Sequence, residues 1–335
     1  MNSIKIKKAL YPIFVIGIIL VVGLVILFIP RRVTELNKIS GDNKKIKSNF
    51  SGFPLTIVDA LGRDIWVKAR PQKIISLAPS LTQTIFALGA FDRLVGRTRF
   101  CLWPPEAQKV KSIGGLAVPE IESMVVLAPD LVLATTLTSI EVVQQIEALG
   151  MPIATFKQEG IKGTFSDMQV IGRLIGVASK ANAEIQALEK IRRDLLEKVS
   201  VIDKRPRTLL LYGMKGLYSA KVGTFPSDMI ELAGGDNVVK TTVSDWPQLS
   251  MESIIEWNPE VILVTLHING KEAKLIDNKI ANWEEDIRWK TISAVMNHRV
   301  YFLDDTLMSI PGPMMVKTAE TMAKVLHPEL FLQSQ

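Results

Sequence analysis

From Lys73 onward, short apolar runs of strand length alternate with amphipathic stretches of helix length. The strand candidates are Lys73–Ala78, Asp130–Ala134, Pro152–Phe156, Thr208–Tyr212, Glu260–Thr265 and Arg299–Leu303. Several are apolar throughout, as expected for parallel strands covered on both faces, and their alternation with helices predicts βαβ units. Between the third and fourth runs, Ser179–Asp203 lacks Gly and Pro and places Ile185, Leu188, Ile191, Leu195 and Val199 at helical spacing. As one helix it would be about 35 Å long.

A repeat organises the pattern. Glu122–Thr135 (ESMVVLAPDLVLAT) recurs 130 residues later as Glu252–Thr265 (ESIIEWNPEVILVT), with five of 14 positions identical. Pro79–Ala90 (PSLTQTIFALGA) likewise pairs with Pro226–Gly235 (PSDMIELAGG). Two matches in the same order predict two α/β lobes of one topology, first lobe 53–178 and second lobe 204–335, with 179–203 as an interdomain helix. Locally, Ser80 with Gln83 reads as a capping box and Gly89 as a helix stop. Pro129 and Pro259 stand at helix-to-strand junctions.

Before the first lobe, Leu10–Ile29 is a 20-residue run without charge. Such a helix spans roughly 30 Å, the thickness of a bilayer core. A cleaved signal peptide would have a shorter apolar region and a small-residue site, whereas Pro30-Arg31-Arg32 follows here. No Cys follows the run, which excludes a lipoprotein anchor. Residues 1–30 therefore read as a transmembrane anchor and 31–52, polar and rich in Lys, Asn and Ser, as a flexible tether reaching on the order of 25 Å.

Charge then changes less than it first promises. The chain has a net charge of +6. Nine of its 40 Lys/Arg but only two of its 34 Asp/Glu lie in residues 1–50, so 31 bases face 32 acids in the remainder. The basicity belongs to the N-terminus, and no basic face is left for nucleic acid. One Cys (Cys101) and three scattered His exclude a disulfide scaffold and leave little material for a metal cage. Nucleotide-binding glycine motifs and the G-x-S-x-G elbow are absent, so no catalytic residue is assigned, and no cofactor.

What remains is two Trp-Pro segments, Cys101–Glu106 (CLWPPE) and Asp245–Ser250 (DWPQLS), each preceding its lobe's Glu-Ser helix. A Trp beside a Pro turn is ordinarily core. At equivalent places in two facing lobes, Trp103 and Trp246 can instead sandwich a flat ligand.

These motifs together resemble one family: substrate-binding proteins of ABC importers, in which two α/β lobes with mainly parallel sheets are joined by one backbone helix and carry cobalamin, ferric siderophores or haem in the cleft between them. The resemblance covers about residues 53–335, from LTIVDALGRDIWV and PQKIISLAPSLTQTIFALGA through WPPEAQKVKSIGG, IELAGGDNVV and WPQLSMESIIEWNPEVILV to HPELF. WPPEAQ and WPQLS are most similar to the cobalamin-binding branch. The resemblance implies that Trp103, Trp246 and Tyr218 contact a corrinoid or other metal chelate, and that Asp304–Ile310 lines the site. It departs at Gly114-Gly115-Leu116, where that branch has a Trp, and DDTLMSI also differs. It further implies permease docking through Glu122 and Glu252, an ABC permease with ATPase subunits as partners, and a soluble body outside the cytoplasmic membrane. Arg97 and Arg99, just before the first Trp segment, keep an anionic siderophore open, and haem would want a Tyr, His or Met ligand. From other classes, a two-lobed enzyme or chelatase would need convergent titratable groups, and a sensory or adhesion ectodomain would not need paired glutamates.

Overall fold

The structure is a computed structural model that describes residues 52–213, 216–266 and 282–332. The expected anchor, and all of the expected tether but Gly52, lie outside the described residues. Among the described residues no helix is long and apolar enough to cross a membrane.

After an antiparallel hairpin, β1 (Leu55–Val58) and β2 (Asp64–Val67), the chain builds two four-stranded sheets. The first contains β3 (Ile74–Ser76), β4 (Leu94–Arg97), β5 (Leu131–Thr135) and β6 (Ile153–Phe156), in the order β4-β3-β5-β6. The second contains β7 (Arg207–Tyr212), β8 (Asp236–Asn237), β9 (Val261–Leu266) and β10 (Val300–Asp304), in the order β8-β7-β9-β10. Every pairing in both is parallel. Numbered within its own half, each sheet has the order 2-1-3-4, so the two halves share one topology, as the sequence repeat predicts.

The helices fall in matching places. In the first half these are α1 (Pro79–Ala87), α2 (Ile121–Leu127), α3 (Ile140–Ala148) and α4 (Gly160–Leu174). Then comes the long α5 (Ala178–Val199), followed by α6 (Phe225–Leu232), α7 (Met251–Trp257), α8 (Ser293–Met296), α9 (Asp305–Met308) and α10 (Met315–Leu326). The helix α5 starts one residue before the expected Ser179 and ends four before Asp203, where Ser200 closes it by bonding back to the Glu197 carbonyl.

The period of two along the central strands explains their apolar runs. In β5, Leu131 and Leu133 enter an inner core while Val132 and Ala134 enter an outer one. In β9, Val261 and Leu263 face the inner core and Ile262 and Val264 the other side. Both faces of each sheet are thus covered. The inner cluster takes in residues of both halves and Ala181, Leu188, Leu195 and Val199 of α5. One continuous core therefore contains the connecting helix.

The repeated segment is a helix–turn–strand unit in both halves. The helices α2 and α7 end in left-handed residues, Ala128 (φ 48°) and Asn258 (φ 42°), before Pro129 and Pro259 and the strands β5 and β9. The capping box at Ser80 is not formed. Pro79 already occupies the first turn and Ala78 is the N-cap, which puts Ser80 inside the helix, where its hydroxyl donates to Gln158 Oε1. Gly89 does follow the helix end, at φ 63°.

Candidate functional site

In parallel α/β sheets the loops after the carboxyl ends of the strands form the binding edge. The sequence-predicted ligand segments all lie there. Trp103 follows β4, Tyr218 follows β7, Trp246 follows β8, and Asp304–Ile310 begins at the end of β10.

The Trp103 loop is built around a buried guanidinium. Arg97 donates to the carbonyls of Ala107 (3.0 Å), Thr98 (3.0 Å) and Gln108 (3.1 Å), pinning the segment that carries Trp103. Arg97 is thereby committed to the loop and does not serve as the free cation a siderophore would want. Arg99 stays exposed, its guanidinium 5.1 Å from the centre of the Phe100 ring. Cys101 is buried beneath, its sulfur 3.3 Å from Thr98 Oγ1. Burial pushes its thiol up, so it stays neutral and acts as packing. Trp103 is half-buried and meets Phe86 of α1 edge-on at 5.3 Å, and Phe86 in turn meets Phe91 at 5.7 Å.

The second-half site is a matching aromatic group. Trp246, 46% exposed, lies 5.7 Å from both Tyr212 and Phe225. Backbone bonds from Tyr212 to Tyr218 (2.9 Å), Ser219 to Pro247 (3.0 Å) and Leu249 to Leu217 (2.9 Å) stitch the Tyr218 and Trp246 segments together. Tyr218 stays 48% exposed. Tyr212 is partly buried with its hydroxyl enclosed, and that desolvation, with Asp305 nearby, drives its phenol far above the usual range. Asp304 accepts from the Thr306 backbone N–H (2.8 Å) and so starts α9 within the predicted lining segment. The described ring contacts stay within each half, so Trp103 and Trp246 each have aromatic neighbours of their own half.

Sequence reasoning missed Phe86, Tyr212 and Phe225, because each sits on an element remote in sequence from the Trp it touches. A signal existed for Phe225, which immediately precedes Pro226-Ser227, the repeat partner of Pro79-Ser80.

Glu122 and Glu252 are exposed in the first turns of α2 and α7. A three-residue corner turns each helix straight into its strand, so the helix runs back against the sheet and its first turn lies toward the carboxyl edge. The Glu252 carboxyl is held below its usual range by hydrogen bonds from its own backbone N–H and from Ser250, with Arg288 adding attraction. Neither carboxylate is buried in an ion pair. Among the described residues there is no cluster of three His, Cys, Asp or Glu that could hold a metal ion.

Similarity to known proteins places the chain in a family. The periplasmic binding protein family model matches residues 74–307. The chain belongs to that family. Among its relatives is an uncharacterized ABC transporter substrate-binding lipoprotein of Bacillus subtilis, 29% identical over 296 residues, which covers 86% of this chain and 90% of that protein. Another is a cobalamin-binding protein of Halobacterium salinarum, 29% identical over 281 residues, 82% of this chain and 74% of that one. Among solved structures, the periplasmic vitamin B12 binding protein of Vibrio cholerae superposes with a TM-score of 0.67 at 22% identity, covering 79% of this chain and 99% of that one. At that identity the likeness shows a shared fold, not a shared ligand. By family it is an ABC transporter substrate-binding protein, a binding protein for transport and not an enzyme.

Proposed function

We propose that the protein captures cobalamin or a related corrinoid outside the cytoplasmic membrane and delivers it to an ABC permease and its ATPase subunits. On this reading 53–178 and 204–335 are two lobes about the α5 region, the ligand lies between them, and 1–30 anchors the body to the membrane. The observation that carries it is the placement of Trp103, Tyr218 and Trp246 on loops at the carboxyl edges of two sheets of identical strand order. Aromatic faces there suit a large planar macrocycle, which gains affinity by burial. The names of the relatives point the same way.

Glu122 and Glu252 are the docking carboxylates in this account, each paired with a permease arginine. Their equivalence 130 residues apart gives a partner with two like subunits two like contacts. The continuous α5 and its shared core favour a small hinge over a wide closure.

A thermal-shift screen of the purified protein with cobalamins, haemin and ferric siderophores tests the ligand. Stabilisation by cobalamins alone is expected, and stabilisation by siderophores but not cobalamins overturns the corrinoid while leaving the family intact. Membrane fractionation and N-terminal sequencing test the anchor: a protein beginning near residue 30 in the soluble fraction overturns it.

A further inference from the structure

Buried side-chain polar atoms almost always find partners, so an orphan calls for a physical explanation. Gln83, in α1, is 1% exposed, and among the described residues neither its Nε2 nor its Oε1 has a hydrogen-bond partner. Two further orphans, the hydroxyls of Tyr212 and Ser227, stand at the end of β7 and the start of α6, on the corresponding edge of the second half. Gln83 leaves a whole amide unused, its Nε2 as donor and its Oε1 as acceptor.

Its surroundings form a hollow of about 240 Å³ lined by Gln83, Phe86, Trp103, Pro313, Met314 and Lys317, with Glu184 and Leu188 of α5 closing one side. The hollow joins the first-half Trp cluster to the segment that follows α9. Pro311-Gly312-Pro313 lies directly over the amide, and a Cβ at Gly312 would collide with Gln83 Oε1. The glycine leaves the amide oxygen just the room it occupies. An amide kept dry beside an aromatic wall, with no partner of its own, is poorly suited to packing. A Met of the same length would fill that space without an orphaned dipole.

We propose that Gln83 is a specificity-determining contact for the ligand, its amide pairing with a primary carboxamide on the ligand's rim. This rests on the corrinoid reading above. A group that both donates and accepts satisfies Nε2 and Oε1 together, whereas a carboxylate satisfies only the donor and leaves the acceptor facing negative charge. The same amide therefore selects a carboxamide-rimmed macrocycle over a carboxylate-bearing one such as haem. The rejection of a partner that leaves buried groups unpaired is stronger than that from apolar mismatch.

The test uses the full chain and two variants, Gln83→Met, which keeps the volume and removes the amide, and Gly312→Ala, which keeps the amide and displaces its oxygen. Melting temperature without ligand and affinity for cyanocobalamin are both read. Gln83→Met is expected to melt higher than the parent and to bind cyanocobalamin 10- to 100-fold more weakly. Gly312→Ala is expected to weaken binding several-fold. The parent should also prefer cyanocobalamin to its peripheral monocarboxylic acid, and Gln83→Met should lose that preference. Unchanged cyanocobalamin affinity in both variants overturns the proposal. If the parent binds haemin or a ferric hydroxamate and not cyanocobalamin, the corrinoid reading and the carboxamide pairing both fall. A tenfold loss for that ligand in Gln83→Met would then still show Gln83 to be a ligand contact, and no loss would end that role too.

Discussion

The two halves share strand order and a repeated helix–turn–strand unit, yet they hold the same corner by different means. In the second half Asn258 adopts the left-handed conformation that ends α7, and its side chain is put to use. Its Oδ1 accepts from the Ser293 N–H at 2.8 Å while its carbonyl accepts from Arg207 at 2.9 Å. In the first half the equivalent residue is Ala128, with a comparable φ and no side chain to brace the turn. The helices also begin differently: Ser250 caps α7 by accepting from the Ser253 N–H at 3.1 Å, whereas Glu120 precedes α2 without capping it and accepts from the Ser123 hydroxyl instead. What both halves keep is an exposed glutamate in the first turn and a Trp loop before it. Local stabilising devices differ between the halves, while the placement proposed to matter for docking and binding is common to both.

The largest effect expected from this comparison is on transport. The double variant Glu122→Arg with Glu252→Arg should abolish ligand uptake by cells while leaving the purified protein's affinity unchanged. Each desolvated pair is worth about 2–5 kcal/mol when one partner is lost. Normal uptake by the double variant would return both residues to the role of completing the helix dipole, worth about 0.3–1 kcal/mol. Next in size, Trp103→Ala and Trp246→Ala should each weaken corrinoid binding by roughly 1–3 kcal/mol, measured by titration. Trp103→Ala should lower the melting temperature more than Trp246→Ala, because Trp103 is half-buried against Phe86 and Trp246 is more exposed.

A pH effect follows in the first half. Burial raises the Asp167 carboxyl to about 6, with Glu159 adding repulsion against the hydrogen bond from the Gln158 N–H. The folded state then holds its proton more tightly than the unfolded chain, whose Asp titrates near 3.8. Unfolding free energy should therefore rise as pH falls from about 7 to 4, by about 1–2 kcal/mol. In Asp167→Asn that slope should vanish, and denaturant melts at the two ends of the range would show it. The αL corners give the smaller changes: Asn258→Ala should cost about 1–2 kcal/mol through the lost Ser293 bond and backbone strain. Ala128→Gly should instead stabilise by up to about 1 kcal/mol, since glycine alone adopts that φ without penalty.

The legible parts of the fold were those in which one strand carries its own signal. The strands β3, β5, β6, β7, β9 and β10 are apolar on both faces and so appear as unbroken runs. Those that were not legible lack that signature. The hairpin strands β1 and β2 alternate and are four residues each, β4 ends in Gly96-Arg97, and β8 has only Asp236 and Asn237. Ser80 misled because the S-x-x-Q spacing is identical one residue inside the helix, where the hydroxyl serves Gln158 instead. The proposed site is visible in the sequence as its two Trp loops, since those are repeated. Their neighbours Phe86, Tyr212 and Phe225, and the orphaned amide of Gln83, are not, because only the fold brings them to the carboxyl edge.

On the corrinoid reading, aromatic loops of both halves bind one ligand. Calorimetric titration of the full chain with cyanocobalamin tests it most directly. One ligand per chain is expected, with micromolar or tighter affinity weakened by Trp103→Ala and by Trp246→Ala alike. No binding of cyanocobalamin, or binding that neither substitution weakens in a protein that remains folded, would contradict it.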